Sequence, residues 1–133
     1  MSDLETAQVV VADDDLLFSS NVSACVARLG YRAVVVRSEA ALHASLRSAP
    51  RAVIVNLTVR AFDAAAAIRR IKADEATRSI PVLGFCGHRD VDRARAAKAA
   101  GCDAVTTNGI MAADFPRVLE ALIDSVRPPA GTA

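Results

Sequence analysis

Asp13, Asp14 and Asp15 follow the apolar run Val9-Val10-Val11-Ala12, and Asn56 stands near the end of a second apolar run, Ala52 to Leu57. If the two runs are neighbouring parallel strands, their ends meet at one sheet edge and form an acidic pocket. A carboxylate at position 56 would let that pocket hold a metal ion and accept a phosphoryl group, because transfer to an acyl oxygen needs an ionised carboxylate as nucleophile. The carboxamide of Asn56 cannot serve as that nucleophile, so this residue decides the chemistry. Two further run ends carry reactive types, Cys86-Gly87-His88 and Thr107-Asn108. A Cys86–His88 nucleophile–base pair would need a third residue to orient the imidazole, and none is evident. The chain is read as a non-enzyme.

Five apolar runs alternate with five helical patterns and place these ends. Strands are expected at Val9–Ala12, Tyr31–Val36, Ala52–Leu57, Pro81–Cys86 and Ala104–Thr107. Phe18, Val22, Cys25, Val26 and Leu29 recur at helical spacing before Gly30. Ser38 and Glu39 open a second helix with Leu42 and Leu46, closed before Pro50. Ile68 and Ile71 mark a third, running to about Lys72. Asp90 to Ala100 forms a fourth, stopped by Gly101. Phe115, Val118, Leu119, Leu122, Ile123 and Val126 make an amphipathic stripe for the last. The first, third and fourth strands are apolar throughout, the pattern of strands covered on both faces. The fold class is a doubly wound α/β sheet, whose ligands bind beyond the carboxyl ends of the strands. Residues 1–126 make the domain, and 127–133, Arg-Pro-Pro-Ala-Gly-Thr-Ala, a flexible tail or the start of a linker.

Composition narrows the function. The chain has 133 residues, 53% of them apolar and 4% aromatic, and a formal net charge of +1. One domain with its own core fits that length. Mixed charge with few aromatics offers no field or stacking platform for nucleic acid, and no run is long enough to span a membrane. No signal peptide is evident, so a cytoplasmic location is expected. Cys25, Cys86 and Cys102 form no C-x-x-C pair and are expected to be reduced. Cys25 is expected to face the core, Cys102 to pack ordinarily, and His43 to lie on the surface. The loop after the first strand is acidic and lacks G-x-G-x-x-G or a Walker lysine, which excludes a nucleotide-phosphate cradle.

From about Val9 to Val126 the chain resembles the receiver domain of bacterial two-component response regulators. The resemblance is carried by Val10-Val-Ala-Asp-Asp-Asp15, Leu29-Gly-Tyr31, Val53-Ile-Val-Asn-Leu57, Ile68-Arg-Arg-Ile71, Ala76-Thr-Arg-Ser-Ile-Pro-Val82 and Ala99-Ala-Gly-Cys-Asp103. It implies a flavodoxin-like sheet of strand order 2-1-3-4-5 with five helices. It also implies an acidic pair for magnesium, an aspartate that accepts a phosphoryl group, a Thr or Ser, and a lysine. Asp13 and Asp14 match the acidic pair and remain candidate ligands for a weak magnesium site. Asn56 stands at the acceptor, Cys86 at the Thr/Ser position and Asn108 at the lysine. Val105 stands where many members have a switching aromatic residue, and Arg60 and Ala64 where the acceptor loop usually has proline and glycine.

The register is kept while the chemistry is lost, so the resemblance is to a degenerate pseudo-receiver. Losing the acceptor carboxylate and the lysine together is self-consistent, since a partly buried lysine beside an amide has no partner. The function expected is a phosphorylation-independent protein–protein contact module in bacterial signalling. The alternative is a ligand-, metal- or redox-gated sensor that uses the same pocket. Arg89, Arg93, Arg95 and Lys98 give the fourth helix a basic surface. In receivers the face of helix four, strand five and helix five is a docking or homodimer surface.

Overall fold

A computed structural model describes residues 7–126. The expected tail at 127–133 lies outside the described residues. Strands β1 (Gln8–Ala12), β2 (Arg32–Val36), β3 (Ala52–Asn56), β4 (Val82–Cys86) and β5 (Ala104–Thr107) alternate with helices α1 (Leu16–Arg28), α2 (Glu39–Ser45), α3 (Ala64–Ala73), α4 (Val91–Ala99) and α5 (Asn108–Val126). A single 3-10 turn, Leu46–Ser48, extends α2. All strands are parallel, in the order β2-β1-β3-β4-β5. Both the fold class and the strand order match the expectation.

Side-chain alternation assigns the layers. Val9, Val11, Ile54, Leu83 and Phe85 face α1 and α5, packing on Val26, Phe115 and Leu119. Val10, Val53, Val55 and Val82 face α2, α3 and α4, packing on Leu42, Ile68 and Ala97. Strand residues that alternate between two buried faces explain the continuous apolar runs of β1, β3 and β4. The edge strands β2 and β5 are covered less.

Local chemistry sets the helix starts. Asp15 caps α1 through Phe18 N, Ser38 caps α2 through Ala41 N, and Asp63 caps α3 through Ala66 N. Gly30 ends the α1 connection at φ +93°, a conformation that disfavours a side chain. α5 carries the expected Phe115–Val126 stripe but starts earlier, at Asn108. Asp114 has non-helical φ −148° and ψ 36°, which breaks the helix just before Pro116. The first turn of a helix tolerates proline because its N–H would have no partner there. α4 buries only Ala97 fully and leaves Val91 half exposed. At the opposite end of the sheet, Lys72 pairs with Asp103 at 2.6 Å and donates to the carbonyls of Arg78 and Ile80. Asp103 in turn accepts from Val82 N, which ties the start of β4 to the loop before β5.

Candidate functional site

The carboxyl ends of β1 and β3 converge as the sequence requires. Asp13 continues β1, because its own N–H donates to Val36 O on β2. Its side chain is fully buried, and Oδ1 accepts from Asp15 N and from Asn56 Nδ2, both at 2.9 Å. Asn56 is buried at the end of β3, and its Oδ1 accepts from Thr58 N at 2.9 Å and Thr58 Oγ1 at 2.7 Å. The bond to Thr58 N is an Asx turn, which Asn and Asp form readily. The two ends of the Asn56 amide therefore have opposite tasks: nitrogen to Asp13, oxygen to Thr58.

Asp14 and Asp15 look outward. Asp14 Oδ2 accepts from Arg60 N at 2.9 Å and Ala61 N at 3.2 Å, which fixes the loop after β3. Asp15 Oδ1 accepts from Phe18 N at 2.9 Å. Capping of the first helix thus falls to Asp15 alone; Asp13 and Asp14 bind the neighbouring strand and loop instead. Arg93, from α4, donates to Leu57 O at 3.1 Å. With Asp14, Asp15, Asn56, Thr58, Val59, Arg60 and Asp90 it lines an open cleft of about 880 Å³. All four basic residues of this region are exposed, and Arg93 differs from Arg89, Arg95 and Lys98 in lining this cleft.

Cys86 and Asn108 do not line this cleft. Cys86 is buried and its thiol donates weakly to Asp90 O at 3.7 Å rather than meeting His88. Burial, then the charge of Asp90, pushes that thiol up, which works against a thiolate. Asn108 is exposed at the first position of α5. Val105 is half-buried against the α2–α4 layer. Ala64 is the buried first residue of α3, and Arg60 contributes its backbone N–H to Asp14. Cys102 donates to the carbonyls of Val82 and Ala104, and burial pushes its thiol up to about 11. Cys25 is half-buried at a groove between α1 and α5 rather than fully in the core, and its sulfur accepts from Arg28. All three cysteines are free. His43 is half-buried on α2 and bonds Glu39, which also holds Arg70.

Protein donors already engage two of the oxygens at this edge that a magnesium ion would use. One oxygen of Asp14 is committed to two backbone amides, and the Asn56 oxygen to two donors. Magnesium demands near-octahedral oxygen ligands, usually with carboxylates among them. Among the described residues no group of three or more His, Cys, Asp or Glu is placed to hold a metal.

Burial raises the Asp13 carboxyl above its usual 3.8, against the opposing hydrogen bonds from Asp15 and Asn56. Its Oδ2 is buried with no hydrogen-bond partner. A raised carboxyl binds its proton more tightly in the folded state. Its stabilising contribution is therefore present below the unfolded value and lost as pH rises through the folded value. Stability should accordingly decline as pH climbs from about 4 through the raised folded-state value. Asp13→Asn should flatten that decline, measured as urea midpoints across the pH range. An equal slope in the variant would remove Asp13 as the cause.

Sequence reasoning missed Thr58 as the partner of Asn56 and Arg93 as a cleft residue. The first was available as an Asn followed at two residues by Thr. The second needed the crossing of α4 over the β3 loop.

No protein-family model matches the chain, and no curated protein matches it. Solved structures do. The chain is 17% identical to the signal receiver domain of a signal transduction histidine kinase from Syntrophus aciditrophicus, with TM-score 0.81, covering 96% of this chain and 98% of that one. It is 20% identical to the receiver domain of a sensor histidine kinase from Pseudomonas aeruginosa, which has a magnesium ion coordinated in its active-site cleft; the TM-score is 0.79 and the coverage 90% and 98%. The receiver domain of NtrX from Brucella abortus is likewise 20% identical, with TM-score 0.79 over 88% of this chain and 98% of that one. With a sheet of this order and neighbours of this kind, the chain has the receiver fold found in two-component signalling proteins.

Proposed function

We propose that this chain is a phosphorylation-independent receiver-fold module that works by protein–protein contact in cytoplasmic bacterial signalling, and that it binds rather than catalyses. The observation that carries this reading is the hydrogen-bond set of Asn56. Its Nδ2 donates to buried Asp13 while its Oδ1 accepts twice from Thr58. A carboxylate at this position would set a second negative charge against Asp13. The amide supplies the donor instead, so this sheet edge holds together without a cation. Asp14, tied to the amides of Arg60 and Ala61, fixes the adjoining loop in the same way.

The face of α4, β5 and α5, with Arg89, Arg95 and Lys98 exposed, is the surface proposed for self-association. A redox-gated reading finds less support, because the Cys86 thiol is buried and its deprotonation disfavoured.

Incubation with acetyl phosphate and magnesium, followed by intact-mass measurement, tests the proposal. The mass should not change. A stoichiometric gain of one phosphoryl group would overturn the reading.

A further inference from the structure

The end of the sheet opposite the Asn56 cleft carries several exposed arginines. Arg32 begins β2 and sits in register with Gln8. Arg51 precedes β3 and donates its backbone N–H to Gln8 O at 2.8 Å. The two residues thus flank Gln8 on the neighbouring strands, about 10 Å apart at the usual strand spacing. Arg47 lies in the 3-10 turn four residues before Arg51. All three are exposed, and no hydrogen bond or ion pair engages their guanidinium groups among the described residues.

Beside these residues a cleft of about 550 Å³ opens between the ends of α2 and α3. His43, Arg47, Arg70, Asp74 and Thr77 supply its polar lining. Arg70 is held in place by Glu39, which also bonds His43. The one carboxylate in the lining, Asp74, is partly engaged, because its Oδ1 accepts from Ala76 N.

Cations at the last turns of helices are commonly explained by the negative end of the helix dipole. That accounts for Arg70 but not for Arg32 and Arg51, which belong to strands. Arg47 links the two groups: it precedes Arg51 by four residues and lines the cleft with Arg70, so bidentate donors extend from the strand starts to that cleft. Guanidinium groups in such an array match carboxylates geometrically.

We propose that this end of the sheet, with Arg32, Arg47, Arg51 and Arg70, is a docking surface for an acidic segment of a partner protein. It rests on the reading of the chain as a contact module, and it names the chemistry of the partner. An extended acidic segment is favoured over a small anion because the guanidiniums are spread over the starts of β2 and β3 and the adjoining cleft rather than converging on one point.

The test uses the whole chain and a fluorescein-labelled glutamate-rich peptide, followed by fluorescence anisotropy at low salt. Saturable binding is expected, weakening as salt rises. The double reversal Arg47→Glu with Arg51→Glu should weaken binding about tenfold or more, with folding checked by thermal melting. The control reversal Arg37→Glu, exposed just past the carboxyl end of β2 and outside both proposed surfaces, should leave binding within about twofold. Absence of saturable binding to the intact chain would overturn the proposal. So would an equal loss in the control, or full competition by millimolar inorganic phosphate, which would mark a small-anion site. None of these outcomes depends on whether Asn56 accepts a phosphoryl group, so the two readings fail separately.

Discussion

Asn56→Asp is expected to lower the melting temperature by roughly 10 °C in the presence of a chelator, a loss of about 2–4 kcal/mol. The variant removes the Nδ2 donor to Asp13 and puts a carboxylate 2.9 Å from the oxygen it served. Asp13 has no exposed surface, and its second oxygen has no partner, so neither water nor a neighbour relieves the repulsion. The interaction with Thr58 survives, because a carboxylate oxygen accepts as well as an amide oxygen. Two further signs separate this account from a generic packing defect. The deficit should shrink toward pH 4, because the two coupled carboxyls are raised in the folded state and one takes up a proton. Magnesium should raise the melting temperature of the variant more than that of the unmodified chain, because a third carboxylate now faces Asp13 and Asp14. A variant as stable as the parent in chelator at neutral pH would show that Asn56 is incidental.

Phe85→Ala is expected to cost about 3–5 kcal/mol, a large part of the total stability of a domain this size. Phe85 is 1% exposed near the carboxyl end of β4, and its ring stacks on Phe18 of α1 with centroids 4.8 Å apart. It therefore joins the sheet to the helix that follows the Asp13–Asp15 loop. Its backbone is also part of the site frame, since it pairs in register with Asn56 and its carbonyl accepts from Leu57 N. Truncation removes the ring and leaves a cavity between two rigid layers that close only partly. Phe85→Leu keeps most of the volume and should cost less, about 1–2 kcal/mol. Urea denaturation with an unchanged slope measures both. A loss below about 1 kcal/mol for the alanine variant would mean that the layers close fully around the gap.

The resemblance and the run pattern together made the architecture legible. Strands buried on both faces must be apolar at every position, so β1, β3 and β4 announce themselves, and parallel strands then require helical crossovers between them. The convergence of Asp13 and Asn56 followed from the same rule, because all strand ends of a parallel sheet lie on one edge. α5 was legible in its Phe115–Ile123 stripe but not in its start, where Asp114 breaks the helix before Pro116. The composition of the site was also legible, since a residue type fixes whether a group can be a nucleophile.

What the sequence could not decide was how each polar group is spent. Three consecutive aspartates read alike in a string, yet Asp13 is buried on Asn56, Asp14 holds the amides of Arg60 and Ala61, and Asp15 caps α1. Four basic residues around α4 also read alike, yet Arg93 turns to Leu57 O while Arg89, Arg95 and Lys98 remain outside. Apart from the local cap made by Asp15, these assignments depend on hydrogen bonds between residues tens of positions apart. A backbone amide becomes available only where a loop ends, and only the folded chain places that end beside a particular carboxylate.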